Sequence, residues 1–222
     1  MGYRRTTAPT PIAGAELTGA MVGIGMLFAA RPTPHADIED TLISASSAGM
    51  SGDLRVLSVL ATWIGVHSAF INVDRLFRSL TDVESKSTRT FWAAVAHWLD
   101  KDPRFARLRD LHGGSRLDLI DGGSQFLIDR DGQDPRFAGG PLIVPGKTLR
   151  HRTADVLSPA EIAKQHRTYC WRLIMGPSYR ADLWAHLEAN PQLTVSDLAR
   201  RARSSIGAAW QVKHDRQLLA AS

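Results

Sequence analysis

The chain has 222 residues, of which 44% are hydrophobic and 22% charged, an ordinary globular composition that buries one good core and fits one or two domains. Its single cysteine, Cys170, excludes an internal disulfide and any cysteine-based zinc site, and predicts a reducing, cytoplasmic location. Lys and Arg number 27 against 22 Asp and Glu, and the excess lies at one end: residues 150–222 hold 11 basic and 6 acidic side chains, whereas the first 149 hold 16 of each. Such asymmetry points to a polyanionic partner at the C-terminal end.

The opening stretch, "MGYRRTTAPTPIAGAELTGAMVGIGMLFAARP", carries an apolar run from Gly19 to Ala30. Glu16 and several glycines interrupt the wider window, no small-residue cleavage site follows, and the run is too short to cross a bilayer. Arg4 and Arg5 lack the context of a twin-arginine signal. The expectation is a disordered tail over residues 1–11, then a buried helix, with no membrane association.

Residues 12–112 read as a helical domain. Asp37 is placed to cap a helix through Ser47, with Ile38, Leu42, Ile43 and Ala45 on its apolar face. "SAGMSGD" breaks that helix, and Asp53 caps the next, which is apolar nearly all round through Leu54, Leu57, Val59, Leu60, Trp63 and Ile64 and is expected at the centre of the core. "GVHSAFINVDRLFRSL" predicts a third helix, with Phe70, Val73, Leu76, Phe77 and Leu80 at three- and four-residue spacing. "SKSTRT" reads as a solvated linker into a fourth helix, "FWAAVAHWLDKD", and Pro103 opens a short further one, "PRFARLRDL".

The texture changes at Gly113, and residues 113–157 read as a β-rich connecting segment. "RLDLI" and "QFLID", joined by "DGGS", predict a β-hairpin, with "PLIV" as a further strand. The peptide "DPRFA" occurs at Asp102–Ala106 and again at Asp134–Ala138, too short a match to claim a structural repeat.

Residues 158–222 return to helix. Ser158 and Pro159 open "LSPAEIAKQH"; "TYCWRLIMG" is strand-like in composition; "PSYRADLWAHLEANP" is a helix stopped by Asn190-Pro191. Helices over Tyr179–Ala189, Thr194–Ala202 and Ser205–Leu219 then form a trihelical array. Thr194 and Asp197 sit three apart as in a capping box, and Leu198, Ala199, Ala202, Ile206, Ala209 and Val212 face inward. Small Ala199 and Ala209 let two helices cross closely.

The residues "LTVSDLARRARSSIGAAWQVKHD" resemble the helix-turn-helix, winged-helix-like DNA-binding domains of bacterial transcriptional regulators: an apolar-Thr pair, Asp-Leu-Ala, a polar turn with serines, then a helix opened by Ser. The resemblance covers about a fifth of the chain. Such units usually carry Gly in the turn, where this chain has Arg203. What the resemblance implies is binding to double-stranded DNA. Ser204 or Ser205 and the amides opening the last helix would meet phosphate. Gln211 would bond adenine, with His214 close to the same face. Arg200, Arg201, Arg203 and Lys213 would bond phosphates and set position. Trp210 either closes the array or contacts sugars or a partner.

Two other uses of the segment stay open: the same fold serving protein contact, and the last helices of a helical core with Arg200–Arg203 as a solvated face. The function expected is sequence-specific DNA binding in transcriptional regulation, with residues 12–112 contacting a homodimer mate or a partner protein. The alternative is an antitoxin-like or adaptor protein that engages a partner enzyme through its helical domain.

Chemistry for catalysis is sparse, and neither enzymatic activity, a metal site nor a cofactor is expected. His35, Asp37, Glu39 and Asp40 lie together in "HADIED", but no second cluster has ligand spacing, and helix capping accounts for them better. "DRDGQD" lacks the terminal Glu of a calcium loop and reads as a tight hairpin turn. His67 and His97 sit in apolar helical patterns and are expected as hydrogen-bonded core residues.

Overall fold

In the computed structural model, which describes residues 9–120 and 122–220, the chain is mainly α-helical. Helix α1 spans Gly14–Gly23, α2 Ile38–Met50, α3 Leu54–His67, α4 Val73–Thr81 and α5 Lys86–Trp98, with a 3-10 segment at Pro103–Leu111. Strands β1 (Leu117–Asp118) and β2 (Leu142–Ile143) flank α6 (Ser124–Asp131). The C-terminal third holds α7 (Pro159–Gln165), α8 (Arg167–Met175), α9 (Tyr179–Ala189), α10 (Val195–Arg201) and α11 (Ile206–Ala220). No helix among the described residues is long and apolar enough to cross a membrane.

Local sequence sets most helix starts. Asp37 accepts the Asp40 amide, Asp53 the Val56 amide and Asn72 the Arg75 amide, each satisfying one orphan donor of a first turn. Ser158 and Glu161 form a complete capping box over α7. The solvated linker expected at "SKSTRT" is instead the first turns of α5, because Ser85 accepts the Thr88 amide and starts the helix there. The third helix is broken: α3 ends at His67, Ser68–Phe70 forms a 3-10 turn, and α4 begins behind Asn72. The first eight residues, including Arg4 and Arg5, lie outside those described; in the remainder of the expected tail Thr10 accepts from Arg203 at 3.3 Å, and the Ile12 amide that follows it donates to Ser44.

The main core gathers α1–α5, β2 and parts of α7 and α8, with Leu57, Leu60, Trp63, Phe91 and Trp92 fully buried. Trp63 anchors α3 to the end of α1, its Nε1 donating to the Ile24 carbonyl at 2.8 Å. Trp92 likewise donates to Ser46 on α2 at 3.0 Å. His67 is buried as expected: its neutral ring donates from Nε2 to Leu157 O (3.0 Å) and accepts the Tyr169 hydroxyl at Nδ1 (2.6 Å). His97 is not, for it projects from the exposed side of α5.

The expected hairpin is absent. "QFLID" is helical, and β1 pairs with β2 in parallel, Leu117 opposite Leu142, with α6 in the crossover. Gly122, at φ +71, turns the chain into α6, and Phe126 is left 70% exposed, so the apolar residues of "QFLID" have no sheet face to fill. "DRDGQD" accordingly is no hairpin turn: it closes α6, with Gly132 at φ +74. The strand-like "TYCWRLIMG" is also a helix, α8, capped by His166, whose Nδ1 accepts the Tyr169 amide. Tyr169 and Arg172, three apart, turn inward while Leu173 and Ile174 face solvent, a helical periodicity that outweighs β propensity.

The two "DPRFA" peptides adopt one local geometry. Asp102 and Asp134 each accept the amide and the Nε of the arginine two residues on, at 3.0 Å, with the Nη2 at 2.6 Å. Phe105 and Phe137 are thereby driven into the core, both fully buried.

Candidate nucleic-acid interface

Helices α9, α10 and α11 enclose a second core, separate from the first, of Leu183, Leu187, Leu193, Leu198, Ala199, Ala202, Ala209 and Val212. Thr194 caps α10 by accepting the Asp197 amide at 3.1 Å and donates its hydroxyl to the Asp197 carboxylate at 2.7 Å. Ser205 caps α11, accepting the Ala208 amide at 3.1 Å. Ile206, expected to continue the inward stripe, is partly exposed because the turn of α11 toward the core begins at Ala209.

The connection between α10 and α11 is a Schellman turn. The Ser204 amide reaches back to Ala199 O (2.9 Å) and the Arg203 amide to Arg200 O (3.2 Å). That pattern places the residue after the cap in the left-handed region, and Arg203 sits there at φ +51. Glycine fills this position at no steric cost, whereas a side chain adds about 1 kcal/mol. Arg203 adopts the geometry without glycine, and its guanidinium makes two bonds to Asp40 on α2, at 2.7 and 2.6 Å.

The residues expected to meet DNA divide into two groups. Arg200, Arg201, Gln211 and His214 are exposed on α10 and α11. Arg201 makes no hydrogen bond or ion pair among the described residues; Arg200 pairs with Asp197 one turn before it, and Gln211 donates to Asp215 at 2.8 Å. Trp210, 55% exposed, stands outside the core and stacks on His214, with centroids 5.2 Å apart and planes 6° from parallel. The others are engaged within the protein. Ser204 is buried; Ser205 is occupied in capping; Lys213 donates to Leu193 O at 2.6 Å; Arg203 is held by Asp40. In this arrangement Ser204 is buried and both terminal nitrogens of Arg203 are engaged by Asp40, because the turn packs onto α2.

What holds the helical unit in place is a buried ion network that local sequence does not announce. Arg172 on α8 is fully buried, and all five of its N–H groups are used: Nε and Nη2 on Asp182 (2.8 and 3.0 Å), Nη1 and Nη2 on Glu39 (2.7 and 2.8 Å), Nη1 also on Phe70 O (3.1 Å). Glu39 accepts the Asn72 amide as well. Arg75 on α4 bonds Asp37 and lies 3.5 Å from Glu39 and 3.6 Å from Asp182. Burial by itself would raise the Asp37 carboxyl, but the Arg75 guanidinium and the Asp40 amide outweigh it and hold the group well below the usual carboxylate range. Burial and the neighbouring Asp37 charge push the Asp40 carboxyl upward against the pull of Arg203. The carboxylates of "HADIED" are thus arginine partners, and no group of three metal-ligating side chains occurs among the described residues.

A cleft of about 520 Å³ runs beside this network, with Arg200, Arg201 and Arg203 contributed by the C-terminal unit and Glu16, Asp37 and Asp40 by α1 and α2. Comparison with protein-family models, with curated proteins and with solved structures gives no match for this chain.

Proposed function

We propose that α9–α11 binds double-stranded DNA in a sequence-specific manner and that the protein acts in transcriptional regulation. One observation carries the reading: α10 and α11 are joined by a tight Schellman turn over their own apolar core, leaving Arg200, Arg201, Gln211 and His214 exposed on the two helices. In such a unit the first helix crosses the backbone and the second enters the major groove. Arg200 and Arg201 then serve phosphates, Gln211 serves a base edge, and Trp210 with His214 offers a flat stacked surface beside it.

A second reading is favoured by a different observation. Ile206, Trp210, Leu218 and Leu219 are exposed on α11, and Leu173 and Ile174 on α8. Exposed apolar groups of that kind suit protein contact, as in an adaptor or antitoxin-like chain that engages a partner enzyme.

The test is selection of bound sequences from random duplex DNA with the full-length protein, since Asp182 of α9 completes the buried network and removal of the unit would disturb the main core. Recovery of one motif, bound with a steep salt dependence, supports DNA recognition. No enrichment at low salt refutes it and leaves the adaptor reading.

A further inference from the structure

The turn between α10 and α11 is tied to α2 through Arg203. Both terminal nitrogens of Arg203 bond both oxygens of Asp40, and the guanidinium also reaches Ser79 Oγ (3.4 Å) on α4 and Thr10 Oγ1 (3.3 Å). The side chains of Arg203 and Asp40 are only 12% and 5% exposed. A two-pronged guanidinium–carboxylate pair is the same recognition that a guanidinium offers to a phosphate. Arg203 sits between the α10 arginines and the capped start of α11, where a helix-turn-helix approaches the backbone.

We infer that Asp40 is an internal stand-in for a DNA phosphate, an autoinhibitory contact that withholds Arg203 and competes with DNA for it. The inference rests on the DNA-binding reading of α9–α11. Two features make the contact releasable. The pair tethers the turn alone, because α9 is fixed independently through Asp182 on Arg172 and Arg75. The cleft of about 520 Å³ beside the pair gives the Arg203 side chain room to leave Asp40 without unpacking either core. With the contact closed, Arg200 and Arg201 are the exposed phosphate ligands of the pair of helices; with it open, Arg203 adds a third.

The experiment measures binding of the full-length protein and of Asp40→Asn to a random 30-base-pair duplex across a salt series. Release of Arg203 raises affinity at least about threefold at low salt and steepens the dependence of log K on log salt by about one, the signature of one more neutralised phosphate. Adding Arg203→Ala to Asp40→Asn abolishes both gains. Where Asp40→Asn does not fold, the Thr10→Ala/Ser79→Ala variant is read in the same way. It keeps the ion pair and removes its two lateral bonds, so a smaller gain supports the inference and an unchanged affinity overturns it. A wild type that binds, with Asp40→Asn equal to it in affinity and salt slope, overturns the autoinhibitory contact alone. Failure of every form to bind duplex DNA overturns the DNA reading and this inference with it.

Discussion

Replacing Arg172 with Met keeps much of the side-chain volume but removes the guanidinium that hydrogen-bonds both Glu39 and Asp182. Those carboxylates are essentially excluded from solvent, at 0% and 1% exposure, and the variant leaves them facing each other with only Arg75, which is already bonded to Asp37. Removing one partner of a buried pair costs roughly 3–5 kcal/mol, chiefly because the remaining charge stays desolvated. For a chain of this length each kcal/mol lowers Tm by about 2–4 °C, so a fall of roughly 6–20 °C is expected. Arg172→Lys should recover little, since a single ammonium cannot span two carboxylates in the fixed geometry of a guanidinium. Neutralising the acids together with the arginine, as Arg172→Met/Glu39→Gln/Asp182→Asn, should restore a substantial part of the loss. The assay is calorimetric unfolding at neutral pH. A loss under about 1 kcal/mol in Arg172→Met would show that the network is solvated and would refute its role in fixing the C-terminal unit.

Three further outcomes follow from the main core. His67 and His166 are buried neutral, with burial lowering each to about 4 from the ordinary 6.5, so the unfolded chain binds protons in that window and the folded one does not. Stability is therefore full above pH 6.5 and falls as the pH drops toward 4, by roughly 3 kcal/mol per ring at full displacement; an unchanged Tm between pH 7 and 4.5 would contradict this. Trp63→Phe removes the donor to Ile24 O and should cost about 1–3 kcal/mol, measured by urea unfolding. Leu60→Ala, at a fully buried site on α3, should cost roughly 2–5 kcal/mol in the same assay, and a wild-type midpoint would place that helix outside the core.

Helix starts were the most legible part of the fold, because a capping side chain and the amide it accepts lie within three residues of one another. Asp37, Asp53, Ser158 and Thr194 all act where their positions in the sequence put them. The Tyr179–Ala189 helix has the boundaries its sequence implies, Ser178 capping one end and Asn190-Pro191 closing the other. Segments whose state depends on distant packing are not legible in this way. The "RLIM" of α8 carries strand-like residues, yet its conformation follows from Tyr169 and Arg172 being drawn inward three positions apart, Arg172 by Glu39 133 residues earlier. The same separation hides the network itself: Glu39, Arg75, Arg172 and Asp182 each look like ordinary surface charges in their own windows. Around the candidate interface, helical spacing turns Leu198, Ala199, Ala209 and Val212 inward and leaves Arg200, Arg201, Gln211 and His214 exposed. The contact of Arg203 is not legible in the same way, since its partner Asp40 lies 163 residues away. The left-handed turn carries a clue: a position that glycine fills at no steric cost holds an arginine, and that arginine bonds Asp40.

The most direct test of the central claim, that α11 reads bases while α10 holds phosphates, compares Gln211→Ala with Arg201→Ala on a selected duplex and on random DNA. Gln211→Ala should lose roughly 1–3 kcal/mol on the selected site and little on random DNA. Arg201→Ala should weaken both alike and lower the salt slope by about one. If the two substitutions have the same effect on selected and random duplexes, α11 reads no bases, and DNA recognition by this unit is contradicted.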